Sequence, residues 1–171
     1  FELINDVRIP VIAVVDGAAL GGGCELATFC DMVIASERAR FGQPEISVGV
    51  FPPVAAAVFP RLIGRNRALE LLMNGETVTA TEAERIGLIN KVFPVDGFEN
   101  SVAGFVSKFT ARSKVILEMT KRAVDIGLGR PAMEAIGCAE EIYLHDMMKT
   151  EDAQEGLRAF LERRQPIWNN K

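Results

Sequence analysis

The chain has 171 residues, of which 49% are hydrophobic and 25% are charged, and this composition suits a globular domain that buries about two thirds of its unfolded surface. The formal net charge is −4 and the basic residues are scattered, so nucleic acid is not an expected partner. No apolar run reaches the roughly 18 residues that a membrane-spanning helix needs, so no membrane partner is expected either.

The cysteine and histidine content argues against metal and disulfide chemistry. Cys24, Cys30 and Cys138 form no CxxC pair, and His145 is the only histidine, so we expect neither a zinc site nor a disulfide framework. Buried reduced thiols are the simplest interpretation, and they indicate a cytoplasmic protein.

The first 36 residues contain two strand patterns. The run "VIAVVDG" at 11–17 predicts a strand buried on both faces of a parallel sheet, and "DMVIAS" at 31–36 predicts a second one. Between them, "GGGCELATFC" at 21–30 favours a helix of two to three turns. The unit is therefore a strand, a Gly-rich turn, a helix and a strand, with a right-handed crossover.

The segment at 40–54 contains three prolines and two glycines, which predict irregular structure or short strands. The next segment, "RNRALELLMNG", has helical apolar spacing and ends in a C-cap signal at Asn74–Gly75. Thr81 and Glu84 have the spacing of a capping box at the start of a further helix.

The remainder of the chain predicts helices near 98–110, 113–127, 131–149 and 152–164. The predicted fold class is therefore α/β, with an α/β front half and an all-helical back half that packs without being a free domain.

The stretch "DGAALGGGCELA" at 16–27 carries the first candidate chemistry. The first N–H groups of a helix lack intrahelical acceptors, and the helix dipole adds positive potential, so the Gly22 N–H could hold a developing oxyanion. Glu25 follows one turn later, and Glu45 in "GQPEI" is a second carboxylate that could exchange protons. An ordinary turn at the glycines and a surface position for Glu45 are the alternative interpretations.

A longer stretch, "IPVIAVVDGAALGGGCELATFCDMVIASERARFGQPEISVGV", resembles the central signature of the crotonase (enoyl-CoA hydratase/isomerase) superfamily, and "TATEAERIGLINKVFP" resembles its continuation. The resemblance implies the C-terminal part of a ββα-spiral core over 1–97 and a helical trimerisation region over 98–171. It also implies trimers or dimers of trimers, and a coenzyme A thioester as the substrate without any separate cofactor.

The resemblance also implies roles for single residues. Gly22 matches the glycine whose N–H binds the thioester oxygen. Glu25 matches the glutamate usually assigned to activating water, and Glu45 matches the one that protonates the α-carbon. Leu20 and Gly21 are expected to contact the substrate. Having both glutamates favours the hydratase reaction.

Two departures from the family pattern matter. Family members take the second oxyanion N–H and the adenine-binding segment from a region upstream of Val11, so we expect this sequence to be part of a longer protein. The turn after Glu45 is "VFPPVAAA", in which Pro53 replaces a glycine and supplies no N–H to hold water.

The turn at 50–57 and the tail at 140–168 resemble cyclic dienoyl-CoA hydratases, with Phe51 and Pro53 expected to line the acyl pocket. Isomerisation or hydrolysis by the same superfamily stays open, because Pro53 disturbs the water site. A non-catalytic scaffold or RNA-binding member is the third alternative, although the acidic charge and the glutamate pair oppose it.

Overall fold

A computed structural model describes all residues from 1 to 171. The front half has six short strands and five α-helices, and its elements are α1 (Glu2–Asn5), β1 (Ile12–Val15), β2 (Ala18–Leu20), α2 (Gly22–Phe29), β3 (Met32–Ser36), β4 (Arg40–Gly42), a 3₁₀ helix (Pro44–Val48), α3 (Pro53–Ile63), α4 (Arg65–Asn74), β5 (Thr77–Thr79), α5 (Ala80–Ile86) and β6 (Lys91–Phe93).

The back half is helical throughout. Its elements are α6 (Phe98–Thr110), α7 (Lys114–Gly127), α8 (Ala132–Glu141), a π-helical turn (Ile142–Asp146), a 3₁₀ turn (Met147–Lys149) and α9 (Glu151–Leu161). No helix is both long enough and apolar enough to cross a membrane.

The strands form two three-stranded sheets. One has the order β1-β3-β6 with parallel pairing, and it contains the two strands predicted at 11–17 and 31–36. The other has the order β2-β4-β5, in which β4 pairs parallel with β2 and antiparallel with β5. The helix α2 connects β2 to β3, so the predicted helix between the two long strand patterns is confirmed, while the short strand β2 was not predicted.

The predicted burial of β1 on both faces is wrong. Val14 is 48% exposed and the other β1 residues are only half-buried, because β1 pairs with β3 alone and forms an edge. β3 is the central strand of its sheet and is buried from Val33 to Ser36. The prediction was therefore correct for β3 and not for β1.

The helix α3 is the main element that the sequence patterns missed. We expected irregular structure or short strands through residue 54, and the three-residue strand β4 agrees with this, yet α3 begins at Pro53. Proline is tolerated at the first helical position, because its missing N–H has no intrahelical partner there. Ala55, Phe59 and Ile63 recur every four residues and are all buried, so they place one face of α3 in the core.

The capping box was predicted two residues too late. Thr79 is the N-cap of α5, and its hydroxyl accepts a hydrogen bond from the Glu82 N–H at 3.1 Å. Thr79–Glu82 and Thr81–Glu84 have the same spacing, and the position of β5 selects the first pair. The C-cap prediction is confirmed, because Gly75 ends α4 in the left-handed conformation.

The long helix predicted at 131–149 is interrupted. Its α-helical part ends at Glu141 and continues as the π-helical turn and the 3₁₀ turn. Thr150 then takes an extended conformation and accepts a hydrogen bond from the Ala153 N–H at 3.1 Å, which starts α9. The helices predicted at 98–110 and 113–127 are confirmed within a residue or two.

The chain divides into two compact units. The first contains residues 1–6 and 11–103, and the second contains residues 7–10 and 104–171. The core of the first unit has Phe41 and Phe59 as its largest fully buried hydrophobic side chains. The boundary predicted between residues 97 and 98 stays a prediction.

Candidate active site

The start of α2 leaves its first N–H groups available. Gly21 precedes the helix with φ 53° and ψ −128°, a conformation that favours glycine. Its N–H donates to the Gly42 carbonyl at 2.9 Å, and its carbonyl accepts from the Glu25 N–H at 2.9 Å. Gly22 and Gly23 are exposed, and a Cβ built on either would meet nothing within 4 Å. The Gly22 N–H is therefore accessible to a ligand at the positive end of the helix.

Glu25 is held by the first turn of another helix. Its side chain is 8% exposed, and Oε1 accepts a hydrogen bond from the Ala55 N–H at 2.8 Å. Ala55 is the third residue of α3, so its N–H lacks an intrahelical acceptor and the helix dipole favours a negative charge there. The carboxylate is thus fixed in a protein interior by a specific donor.

Glu45 is placed by a different kind of contact. It lies on the 3₁₀ helix directly after β4, and its Oε1 would be 2.5 Å from a Cβ built on Gly21. Its Oε2 is buried and accepts no hydrogen bond from the protein. The Glu45 carboxylate therefore packs against the backbone of Gly21, the residue immediately before Gly22.

Cys24 lies in the electrostatic field of both glutamates. Burial raises the pKa of the Cys24 thiol to about 12, a backbone hydrogen bond from Gly42 opposes this, and the negative charges of Glu45 and Glu25 add to the rise. A thiol with this pKa stays protonated at neutral pH and is a poor nucleophile. Cys24 is a packing residue, and no disulfide joins the three cysteines.

Sequence reasoning missed one group at this site and one buried side chain two residues before Glu45 in the sequence. One is the Ala55 N–H, which the prediction of irregular structure concealed. The other is Gln43, which is fully buried although neither of its amide atoms has a hydrogen-bond partner. The alternation of "RFGQ" in the β4 segment could have indicated that Gln43 points inward, since residues at i and i+2 share one face of a strand.

The four predicted substrate contacts fall into two groups. Gly21 is buried against Glu45, whereas Leu20 is 38% exposed at the end of β2. Phe51 is 68% exposed and Pro53 is exposed at the first position of α3. No hydrogen bond or ring contact links Phe51 to the glutamates, so its substrate role stays a prediction.

The site offers acid–base groups and a hydrogen-bond donor. No group of three or more His, Cys, Asp or Glu side chains is arranged to hold a metal ion. Two carboxylates beside an accessible helix N–H can move protons around a carbonyl compound whose oxygen becomes negative.

Comparison with known proteins agrees with this chemistry. The family profile described as enoyl-CoA hydratase/isomerase matches residues 1–171. A probable mitochondrial enoyl-CoA hydratase of Dictyostelium discoideum is 40% identical over 169 residues, which are 98% of this chain and 61% of that protein. A probable enoyl-CoA hydratase of Mycobacterium bovis is 39% identical, over 96% of this chain and 64% of that protein.

Solved structures of enoyl-CoA hydratases have the same fold as this chain. The enoyl-CoA hydratase of Bacillus anthracis matches with a TM-score of 0.92 and 32% identity, over 99% of this chain and 66% of that one. The human enoyl-CoA hydratase domain-containing protein 3 matches with a TM-score of 0.92 and 31% identity, over 98% and 66% of the two chains. These matches confirm the predicted crotonase-like fold.

The chain spans a little over 60% of the length of the curated relatives it matches. The range that the family profile matches, residues 1–171, includes the strand–glycine–helix unit and both glutamates. The chain therefore belongs to the enoyl-CoA hydratase/isomerase family.

Proposed function

We propose that this protein hydrates the α,β double bond of an acyl-CoA thioester. The observation that carries the proposal is the convergence of three groups at the start of α2. These groups are the Gly22 N–H, the Glu25 carboxylate held by Ala55, and the Glu45 carboxylate packed on Gly21. The relatives are named as probable enoyl-CoA hydratases, and these names support the same reaction class.

In the proposed mechanism, each group has one task. The Gly22 N–H donates to the thioester oxygen and stabilises the negative charge that develops as the enolate forms. Glu25 accepts a proton from water, whose oxygen forms a bond to the β-carbon. Glu45 donates a proton to the α-carbon, so the hydroxyl added at the β-carbon and this proton together make up one water molecule. The proton that Glu25 took from water then returns to Glu45, which restores both carboxyl groups for the next turnover. Coenzyme A is part of the substrate, and no separate cofactor takes part.

Substitution of each carboxylate tests the proposal. We expect Glu25→Gln and Glu45→Gln each to lower kcat for hydration by about 10²-fold or more, because an amide cannot transfer these protons. The affinity for the acyl-CoA, measured by calorimetry, should change far less. Glu70→Gln is the matched control, since Glu70 is exposed on α4. Full activity of Glu45→Gln would show that only one acid is needed and would weaken the hydratase assignment.

Double-bond isomerisation is the second candidate, and one observation favours it. Pro53 has no N–H to donate to a water molecule at the first turn of α3. Isomerisation needs the same oxyanion donor and proton transfers, but it needs no bound water. Analysis of the product formed from a 2-enoyl-CoA separates the two reactions, because only hydration gives a hydroxyacyl-CoA. Hydrolysis would instead release free coenzyme A.

For the acyl group of the substrate, we propose a cyclic diene, so that the substrate is a cyclic dienoyl-CoA. The residues after Glu45 expose an apolar surface, with Val48 at 78%, Val50 at 56% and Phe51 at 68% exposure. Pro52 and Pro53 follow and restrict the backbone. A flat ring buries more apolar area against this rigid surface than a short linear chain does. Because burial stabilises by about 25 cal/mol per Å² of apolar area, the cyclic substrate should bind more tightly.

We also propose how the chain assembles and where in the cell it is located. Three large apolar residues of α9 are more than half-exposed, namely Leu157, Phe160 and Leu161. An amphipathic helix that exposes such residues is typical of a subunit interface, and we propose that the helical region over 98–171 forms a homotrimer or a dimer of trimers. Sedimentation velocity measures this directly. The cysteine content supports a cytoplasmic location.

A further inference from the structure

The carboxylates of Glu25 and Glu45 are held by different kinds of contact. Glu25 has a hydrogen-bond donor, the Ala55 N–H, at 2.8 Å. The buried Oε2 of Glu45 has none. Its carboxylate instead occupies the space that a side chain at position 21 would fill, since a Cβ built there would lie 2.5 Å from Oε1 and 3.4 Å from Cδ.

Gly21 is itself fixed from both sides. Its N–H donates to the Gly42 carbonyl at the end of β4, and its carbonyl accepts the first hydrogen bond of α2, from Glu25. With both backbone groups bonded, Gly21 cannot move away from Glu45 without breaking the junction of β4 and α2. A side chain at this position would therefore displace the Glu45 carboxylate.

We infer that Gly21 is a positioning residue, and that its missing side chain sets the place of the Glu45 carboxylate beside the Gly22 N–H. This inference rests on the proposed function for its catalytic consequence, but the position of the carboxylate can be measured without any activity. It assigns Gly21 a role that acts through Glu45, in addition to the substrate contact predicted from the sequence.

The first test is Gly21→Ala, with Gly23→Ala as the matched control. Gly23 lies two residues further along, has no positive φ, and has open space beside its Cα. We expect Gly21→Ala to lower kcat by about 10²-fold with a smaller change in KM, since a displacement of about 1 Å can cost that much. Gly23→Ala should keep its kcat within about twofold, because an exposed alanine fits the helix.

A double-mutant cycle separates positioning from general damage. If Gly21 acts through Glu45, Gly21→Ala should cost little further kcat in a Glu45→Gln background. Glu45→Asp, which shortens the acid by one methylene, should recover part of the kcat lost in Gly21→Ala. An equal loss of kcat in both backgrounds, or no recovery with Glu45→Asp, would overturn the inference.

Thermal stability and a crystal structure provide readouts that do not depend on catalysis. If Gly21→Ala folds, its structure should show the Glu45 carboxylate displaced by about 1 Å or more, and an unmoved carboxylate would refute the inference. If Gly21→Ala folds poorly, the double variant with Glu45→Ala should regain part of the lost Tm because the clash is removed. If the double variant does not regain Tm, the positive φ at position 21 alone explains the loss of stability, and this result would also refute the inference. A wild type without hydratase activity would refute the proposed function and leave these readouts usable.

Discussion

At the residue scale, the glycines at the start of α2 have separate tasks. Gly21 needs its backbone conformation and its lack of a side chain, whereas Gly22 and Gly23 have open space beside them. For Gly22, the proposed function requires only the backbone N–H. A glycine is therefore required at position 21, whereas position 22 should accept any residue that keeps its backbone N–H.

This difference predicts opposite results for two substitutions of Gly22. Gly22→Ala keeps the N–H and meets no atom within 4 Å, so hydration should fall by no more than a few-fold. Gly22→Pro removes the N–H and should lower kcat by about 10²-fold or more, the usual cost of losing one oxyanion donor. Position 22 is the first of α2, where proline is tolerated, so the fold should persist. Steady-state kinetics and Tm check both variants, and equal kcat values for the two would contradict the oxyanion role.

Gln43 gives a prediction about stability. Both of its amide atoms are buried without partners, which costs about 1–3 kcal/mol for an unsatisfied group. Gln43→Met has a similar shape and no such groups, so we expect the free energy of unfolding to rise by about 1–2 kcal/mol. Urea unfolding measures the change, with the exposed Gln154→Met as a control that should be neutral. A lower urea midpoint for Gln43→Met would show that the amide is paired in solution.

At the element scale, α3 connects the core to the site. Its buried stripe of Ala55, Phe59 and Ile63 fixes the helix, and its first turn presents the Ala55 N–H to Glu25. The sequence patterns predicted the strands β1 and β3 and the helix α2 because periodicity and turn residues agree there. They missed α3 because two adjacent prolines suggest a break, although a proline at the first helical position is equally a start signal.

Pro53 at the start of α3 yields a prediction about substrate preference. We expect the wild type to have a higher kcat/KM for a cyclic dienoyl-CoA than for crotonyl-CoA, because the rigid turn forms a wall that a ring can cover. Pro53→Gly should narrow this difference by restoring both an N–H and backbone freedom. Pro53→Ala restores the N–H alone and separates the two causes. Equal or faster hydration of crotonyl-CoA by the wild type would remove the case for a cyclic substrate.

The C-terminal segment at 165–171 is attached to α9 by a charged cluster. Glu155 accepts hydrogen bonds from the Arg164 guanidinium and from the Ile167 N–H at 2.9 Å, and the buried Asp152 accepts from the Asn169 N–H at 2.7 Å. The Arg164 guanidinium is the main cause that lowers the pKa of Glu155 to about 2.

The lowered pKa predicts how this attachment responds to acid. Because the folded pKa lies below the ordinary 4.5, the interaction stabilises the fold above that pH and is lost as the pH falls toward 2. A carboxyl-carbon NMR titration should give Glu155 a pKa near 2, and Arg164→Gln should move it back toward its ordinary value. A Glu155 pKa near 4.5 in the wild type would contradict the contact between Glu155 and Arg164.

At the scale of the whole molecule, the sequence identified the candidate chemical groups of the site but not the contacts that hold them. Gly22, Glu25 and Glu45 follow from the helix-start pattern and the family signature. The Ala55 donor and the contact between Gly21 and Glu45 depend on tertiary structure, because residues 20 to 30 positions apart in the chain meet there. The edge position of β1 was likewise set by strand pairing, which hydropathy alone does not report.

The central claim is that the two carboxylates and the Gly22 N–H add water across a double bond. The most direct measurement incubates the enzyme with a 2-enoyl-CoA in H₂¹⁸O and analyses the product by mass spectrometry. We predict a 3-hydroxyacyl-CoA that carries ¹⁸O at the β-carbon, formed by the wild type and strongly reduced in Glu25→Gln. An unlabelled isomer with a shifted double bond, or ¹⁸O in a free acid together with released coenzyme A, would contradict the account.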